Sequence, residues 1–430
     1  MSLRGDNGPA VSGILDPSGS GQSLRFQETL KPGDRRGRLR RPRDDTIFNF
    51  MRILDALRNL KKRFSRYEPL VTVVVFKDRL LKNVTLFKAA APHLKIAPVL
   101  KSNAYGHGLI PVAKIFDKQN VPFLVVDSPY EATQLRQAGI QSKILIIGYT
   151  TAHNIKHFKS RNVSFTITSL DQLRAVAKTV RRLTCLHLKI DTGMHRQGVG
   201  EGDVPAAIEI FKNNKLIKLE GVCSHLADAI DHEDFTKKQI ERWDAGVALI
   251  QKELGEVVYK HLSATSGFLF AQNIDANVAR VGIGLYGFVP ENLQQKIPVT
   301  PTLEMRACIT SLRKLAAGEC VGYDCTYTLD SPQTIATLPV GYFEGMDRRL
   351  SNIGTVLVDG AVCPIVGRVS MNIASVDVSN VKNPHLNQLV MVISANASDT
   401  NSVENIARDC KTIPYEILVH IPPQLRRTVV

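Results

Sequence analysis

Val99-Leu100-Lys101-Ser102-Asn103-Ala104-Tyr105-Gly106-His107-Gly108 is the stretch from which the rest of the chain can be read. The apolar run from Ile96 to Leu100 has the length and composition of a short buried strand. It stops at a lysine followed by Asn and two glycines, which are turn residues. Lys101 therefore sits where a strand opens into a loop. A lone lysine in that place is ordinarily a snorkelling side chain, its stem on apolar surface and its ammonium in water. Partly desolvated, the same amine has its pKa drawn toward neutrality, which suits it to Schiff-base chemistry with a carbonyl cofactor.

Outward from this stretch, apolar strand and polar-faced helix alternate for more than 200 residues. Candidate strands cover 96–100, 123–127, 143–148, 163–168, 184–190, 219–224, 259–263 and 279–283, with helical patterns over Pro129–Gln137, Leu170–Val180, Val204–Lys212 and Asp234–Leu254. Eight βα units in about 220 residues predict an α/β fold, a (β/α)8 TIM barrel. A doubly wound sheet is the alternative, but Gly282-Ile283-Gly284 lacks the full dinucleotide fingerprint and comes last rather than first. Beyond Pro290 the helical patterns largely disappear. Short apolar runs such as Gln333–Val340, Gly354–Val358 and Gln388–Ser394 lie between Gly, Asp-Gly and Asn turns, which predicts a β-rich C-terminal domain.

The net charge of +15 points to nucleic acid until it is located: residues 1–70 hold fifteen Lys/Arg against eight Asp/Glu, so nearly half of the excess lies there. No basic-aromatic interleaving follows, so no nucleic-acid binding by the folded body is expected. Residues 1–45, rich in Gly, Ser, Pro and Arg, predict a largely disordered extension. Ile53, Leu54, Leu57, Leu60 and Phe64 recur at helical spacing among basic residues, the pattern of a short amphipathic helix, and Met51 is an alternative start. No apolar run is long enough for a membrane span. Seven scattered cysteines without a C-x-x-C pair fit reduced thiols in a cytoplasmic protein and no metal site.

Barrel enzymes carry their chemistry on loops after the strands, with phosphate commonly held after the seventh and eighth. Lys101 follows the first strand, Lys189-Ile190-Asp191-Thr192-Gly193-Met194-His195-Arg196 the fifth, Ser224-His225 the sixth, Ala264-Thr265-Ser266-Gly267 the seventh and Arg280-Val281-Gly282-Ile283 the eighth. Singly, a Thr-Ser-Gly is a turn or cap, and a lone His is a satisfied neutral imidazole. Collected on one rim they make a cation-rich site with a Ser/Gly phosphate cradle.

Lys101, Asn103, Ala104, Tyr105, Gly106, His107 and Gly108 resemble the lysine motif of the alanine racemases, with Ser102 where alanine is common. Lys189 to Gly198, Arg280 to Gly287, Val321-Gly322-Tyr323, Val340-Gly341-Tyr342, Val366 to Met371 and Ile413-Pro414-Tyr415-Glu416 resemble further motifs of that family in the same order. The resemblance covers nearly all of residues 71–430. It implies a pyridoxal 5'-phosphate-binding barrel at 71–295, a β-rich domain at 296–430, and a head-to-tail homodimer with shared sites. The activity it implies is interconversion of L- and D-alanine, supplying D-alanine for peptidoglycan. By the same resemblance Lys101 is the Schiff-base lysine and Tyr323 the opposite-face base, while Tyr105, Ser266, Gly282, Ile283 and Tyr415 bind phosphate. Arg280 meets the pyridine nitrogen, Arg196 the phenolic oxygen and substrate, and His225 bridges Arg280 toward Tyr323; Tyr342 and Met371 line the substrate entrance, and Lys189 matches a lysine often carbamylated.

These roles agree with elementary chemistry. Racemisation removes a proton from one face of Cα and delivers one to the other, so two bases must flank a planar carbanion. An arginine facing the pyridine nitrogen leaves that nitrogen unprotonated and the ring a weaker electron sink, which limits side reactions. That residue argues against an amino-acid decarboxylase of the same fold, which needs an acidic partner there. A non-catalytic cofactor carrier would need the barrel alone. His195, Gln197, Thr265 and Asn372 depart from common family residues and leave serine or a broader substrate range open.

Overall fold

The structure, a computed structural model, describes residues 68–430, the side chain of Asn273 excepted. The expected disordered extension and basic helix lie outside the described residues. Strand β1 spans Thr72–Val75. The next eight are β2 (Lys95–Pro98), β3 (Leu124–Val126), β4 (Ile144–Ile146), β5 (Val163–Ile167), β6 (Thr184–Lys189), β7 (Ile217–Cys223), β8 (Tyr259–His261) and β9 (Val278–Val281). Strands β3 to β8 form one parallel sheet in sequence order, and β2 pairs in parallel with β9. A parallel bridge between Val99 and Val125 joins β2 to β3. On the other side Asn277 N–H donates to the Lys260 carbonyl and Arg280 N–H to the Ser263 carbonyl, both at 3.0 Å, so β8 meets β9 and the eight strands close. This is the (β/α)8 barrel that the alternation predicts, with strand positions within a few residues of expectation.

The helices begin where the sequence supplies caps. Ser128 and Ser169 accept backbone N–H groups of Glu131 and Gln172 at 3.3 and 3.1 Å, and Pro129 occupies the first turn of its helix. Helices therefore start directly after strands, leaving the carboxyl ends of β2 to β9 free to build one rim. The barrel interior and the helix faces are filled by one continuous apolar core that includes the fully buried Phe87, Phe116, Phe123, Trp243 and Tyr286.

The β-rich part contains β10 (Leu303–Cys308), β11 (Ser311–Leu315), β12 (Cys320–Val321), β13 (Tyr327–Thr328), β14 (Gln333–Leu338), β15 (Thr355–Val358), β16 (Ala361–Pro364), β17 (Ala374–Asp377), β18 (Leu389–Ile393) and β19 (Arg426–Val429). Its largest sheet runs β16-β15-β18-β10-β1-β19. Strand β1 thus lies in the second sheet although it precedes the barrel in the chain. Its run Val73-Val74-Val75 is buried on both sides by this placement, between antiparallel β10 and parallel β19. Two short helices, Val403–Asp409 and Pro414–Val419, also lie in this part, where the helical patterns of the sequence largely disappear.

Candidate active site

The residues after β2 turn in an uncommon sense. Ser102, Asn103, Ala104 and Tyr105 all have φ between 51° and 57°, one turn of left-handed helix built without glycine, before Gly106 at φ 79°. L-residues resist this conformation by about 1–2 kcal/mol each, so the surroundings must impose it. Glu131 accepts Ser102 N–H with one carboxylate oxygen and Asp127 N–H with the other, both at 2.7 Å, tying the loops after β2 and β3 together. Asn103 accepts Leu109 N–H at 2.9 Å. Arg427, from β19, donates to the Gly106 carbonyl at 2.9 Å, and a side chain at 106 would run into the Leu418 carbonyl. His107 closes the turn: its Nδ1 bonds the Tyr105 carbonyl at 2.9 Å and its Nε2 meets the Thr302 hydroxyl at 3.0 Å. Burial lowers its pKa to about 4, so the imidazole is neutral. Lys101 is thereby fixed at the lip of the barrel.

A cavity of about 580 Å³ opens there, and it is lined by Lys101, Tyr105, Arg196, His225, Ser266, Arg280, Gly282, Ile283 and Tyr415 together with Lys189 and Gln197. Nine residues expected from sequence to hold the cofactor are therefore brought round one space. At one end Ser266 opens a 3-10 helix, Ser266–Asn273, beside the backbone of Gly282. A Cβ at Gly282 would lie 2.4 Å from the Tyr105 hydroxyl, so only glycine lets the phenol reach that backbone. Thr265 accepts Gly284 N–H at 3.2 Å and holds the two loops in register. Tyr415 arrives from the short helix Pro414–Val419, its ring 5.9 Å from that of Tyr105. Lys101, Lys189, Arg196 and Arg280 face a single carboxylate in this lining, Asp127. A surplus of cations beside a Ser/Gly/Tyr cradle suits an anionic ligand carrying phosphate.

Arg280 shows how the barrel core supports this charge. It is buried, and among the described residues no carboxylate pairs with it. Its guanidinium donates instead to the carbonyls of His261, Ser224 (2.7 Å) and Leu262 (3.1 Å), to His261 Nδ1 (2.7 Å) and to His225 Nδ1 (3.4 Å). Because a guanidinium only donates, both imidazoles accept at Nδ1 and carry their proton on Nε2. His261 Nε2 then donates to His187 Nδ1 at 2.7 Å, and His187 Nε2 to Glu220 at 3.4 Å, with Lys143 and Ser164 completing the carboxylate's shell. These partners hold the Glu220 pKa down at about 2 despite the opposing effect of burial. Burial holds His261 and His187 well toward neutral, and burial followed by the Arg280 cation lowers His225 to about 3. A directional chain of four side chains thus runs from the site through the barrel interior. His261, His187 and Glu220 were not expected from sequence. Each sits alone on its own strand, and only a buried-strand position occupied by His or Glu hints at it.

Lys189, the last residue of β6, is partly buried, and burial with Arg196 and Arg280 nearby lowers its pKa. Its loop is folded by Asp191, which accepts the N–H groups of Gly193 and His195 at 3.0 and 3.1 Å.

Tyr323, Tyr342 and Met371 do not line this cavity. They lie on the β-rich part and are 69, 45 and 56 % exposed. Tyr323 follows β12 at the tip of the β12–β13 hairpin, which is anchored by an Arg368–Asp324 ion pair at 2.6 Å and by Asn352 donating to Thr326. Tyr342 and Met371 sit on loops joined backbone to backbone, Tyr342 N–H to the Ser370 carbonyl at 3.1 Å and Phe343 N–H to the Met371 carbonyl at 2.9 Å.

The family model for the alanine racemase N-terminal domain matches residues 75–290, and that for the alanine racemase C-terminal domain matches 302–429. The alanine racemase of Syntrophobacter fumaroxidans is 36 % identical over 337 residues, covering 77 % of this chain and 89 % of its own. Alanine racemase 1 of Caldanaerobacter subterraneus is 32 % identical over 363 residues, 83 % of this chain and 93 % of its own. This chain belongs to the alanine racemase family. A solved alanine racemase of Clostridium difficile superposes with a TM-score of 0.79 at 28 % identity, covering 85 % of this chain and 97 % of that one. Within the racemase frame the departures at the rim take on local meanings. Gln197 lines the cavity, His195 turns outward beside Asp191, and Asn372 donates to Glu344 at 2.8 Å, where an aspartate would meet a second carboxylate.

Proposed function

We propose that this chain is an isomerase that interconverts L- and D-alanine with pyridoxal 5'-phosphate as cofactor. The observation that carries the reading is the single cavity that unites Lys101, a cation-rich wall and the Ser266–Gly282 cradle. Tyr105, Ser266, Gly282, Ile283 and Tyr415 would hold the phosphate, Arg280 the ring nitrogen and Arg196 the phenolic oxygen. When bound, the cofactor acidifies the substrate Cα proton by delocalising the charge left behind. Lys101 holds or removes that proton on one face. Tyr323 serves the opposite face. Neutral His225, accepting from Arg280 at Nδ1, keeps an Nε2 proton with which to orient the second base. Lys189, whose pKa burial lowers, would be the lysine to carry a carbamate facing Arg196.

Tyr323 is outward on its own chain, which favours a head-to-tail homodimer in which the β-rich part of one subunit caps the barrel mouth of the other. No helix among the described residues is long and apolar enough to cross a membrane; a cytoplasmic racemase supplying D-alanine for peptidoglycan is the setting that this reading favours. The test is a panel of amino acids on purified protein, following loss of optical rotation with and without added pyridoxal 5'-phosphate. Cofactor-dependent loss with alanine, faster than with serine, is expected; a loaded protein inert to alanine overturns the reading.

A further inference from the structure

The positive charge outside residues 1–70 is concentrated in one part of the barrel. Residues 132–190 hold ten Lys/Arg against a single carboxylate, Asp171, which matches the whole remaining surplus. The active-site cavity takes one of the ten, Lys189. Three others, Lys143, Arg161 and Arg182, line a second cavity of about 280 Å³ at the amino ends of β4, β5 and β6, on the end of the barrel opposite its mouth. Its apolar wall is Ile155 with Phe158 set edge-on to Phe165, ring centroids 5.6 Å apart. No carboxylate lines it, and among the described residues neither the Arg161 nor the Arg182 guanidinium has an acidic partner. Lys143 differs: its ammonium pairs with buried Glu220, while 18 % of its side chain stays exposed. Glu220 ends the path that runs through His187 and His261 to Arg280, so this cavity lies at the outer end of that path.

We propose that this cavity is a binding site for a small phosphate monoester, coupled to the active site through Lys143 and Glu220. Two guanidinium forks with no anion of their own call for about two negative charges, and a phosphate monoester near neutral pH carries about −1.5 to −2, on oxygens that accept bidentate donation. A carboxylate would answer only half of that charge. The remaining volume suits one small apolar body, covered by Ile155, Phe158 and Phe165. An oxyanion that also reaches the Lys143 ammonium shares it with Glu220. The carboxylate, less neutralised, accepts more strongly from His187 Nε2; His187 Nδ1 then accepts more strongly from His261, and His261 Nδ1 from Arg280. Charge at one end of the barrel is thereby felt at the other through fixed hydrogen bonds. The site itself rests on no assignment of the reaction; only its effect on the bound cofactor rests on the place proposed for Arg280.

The experiment takes full-length protein loaded with pyridoxal 5'-phosphate, so that the Ser266–Gly282 cradle is filled, and titrates it with phenyl phosphate and with inorganic phosphate. Calorimetry reads binding, and the visible absorbance of the bound cofactor reads coupling. Phenyl phosphate is expected to bind with a Kd of about 0.1 mM, roughly tenfold tighter than inorganic phosphate, and to shift the absorbance. The double variant Arg161→Ser, Arg182→Ser should weaken phenyl phosphate by about tenfold or more at unchanged basal turnover. The charge-matched Arg174→Ser, Lys178→Ser, exposed and outside the cavity, should leave it unchanged. Equal weakening by both pairs, or no saturable binding up to about 10 mM, overturns the site. Inorganic phosphate as tight as phenyl phosphate overturns the monoester assignment. Glu220→Gln, which releases Lys143, should bind phenyl phosphate at least as tightly yet lose the absorbance response; no response in the native protein, or a response kept in this variant, overturns the coupling. A chain that takes up no pyridoxal 5'-phosphate fails the functional reading instead, and the comparison of the two double variants still decides the site.

Discussion

Lys101 and Tyr323 are held in opposite ways. Lys101 stands at the lip of a closed barrel, behind a left-handed turn clamped by Glu131, His107 and Arg427, in a cavity whose far wall runs back through Arg280 to Glu220. Tyr323 rides a two-stranded hairpin over a small satellite cluster of Val321, Leu329, Ile335 and Val366, and projects outward. On the function proposed above, one base is pre-organised within the chain and the other is offered to whatever docks on the β-rich face, the arrangement that a site assembled between subunits requires.

The sharpest way to break that contrast is to divide the bases between subunits. Lys101→Ala and Tyr323→Phe should each lose roughly 10²-fold or more in racemase turnover. Mixed under subunit exchange, they should regain up to about half of a native dimer's activity, because one of two sites keeps both groups. Verified heterodimers as inactive as their parents would place both bases within one chain.

Acid should attack the barrel half. A buried histidine whose folded pKa lies below its unfolded value stabilises fully above about pH 6.5, and that contribution is lost as the pH falls toward the folded value. For His107, at about 4, the loss is about 3 kcal/mol, and His225, His261 and His187 act in the same direction. The unfolding temperature should therefore drop steeply between about pH 7 and 4, before Glu220 protonates. A flat profile over that range would mean that these imidazoles are not held neutral.

Removing only the charge at the end of the chain of side chains has a smaller effect. Glu220→Gln keeps the shape but leaves Lys143 without its anion, and should lower unfolding free energy by about 2 kcal/mol in denaturant titration. An unchanged midpoint would show that the carboxylate is dispensable to the barrel. The smallest effect is expected at the exposed rim, where Asn372→Asp sets a second carboxylate beside Glu344 and should change KM for alanine by no more than about fivefold. A larger change, or a switch of preferred substrate, would make Asn372 a specificity residue rather than a rim contact.

The barrel was legible because period and length agree eight times over, and the lysine stretch because strand, turn residues and glycines follow one another directly. The placement of β1 was not, since a Val-rich run specifies burial on both sides without naming its neighbours. Nor was the left-handed turn, because Ser102, Asn103, Ala104 and Tyr105 adopt it only under contacts from Glu131 and Arg427, distant in sequence. The path from His261 to Glu220 is likewise a product of closure: three strands bring together residues that no local pattern relates. That Tyr323 faces away from its own cavity follows from no local pattern and was implied only by the shared sites of the family resemblance.

The sheet of the β-rich part begins with β1 and is completed by β19, with Thr72 registered against Arg426. During synthesis the barrel segment emerges between these two strands, so it can close while β1 still waits for the partners that complete its sheet. The same final strand carries Arg427, which grips the Gly106 carbonyl behind Lys101. The turn behind Lys101 is therefore locked by a strand that follows the barrel in the chain, so the barrel can close before that lysine is held in place.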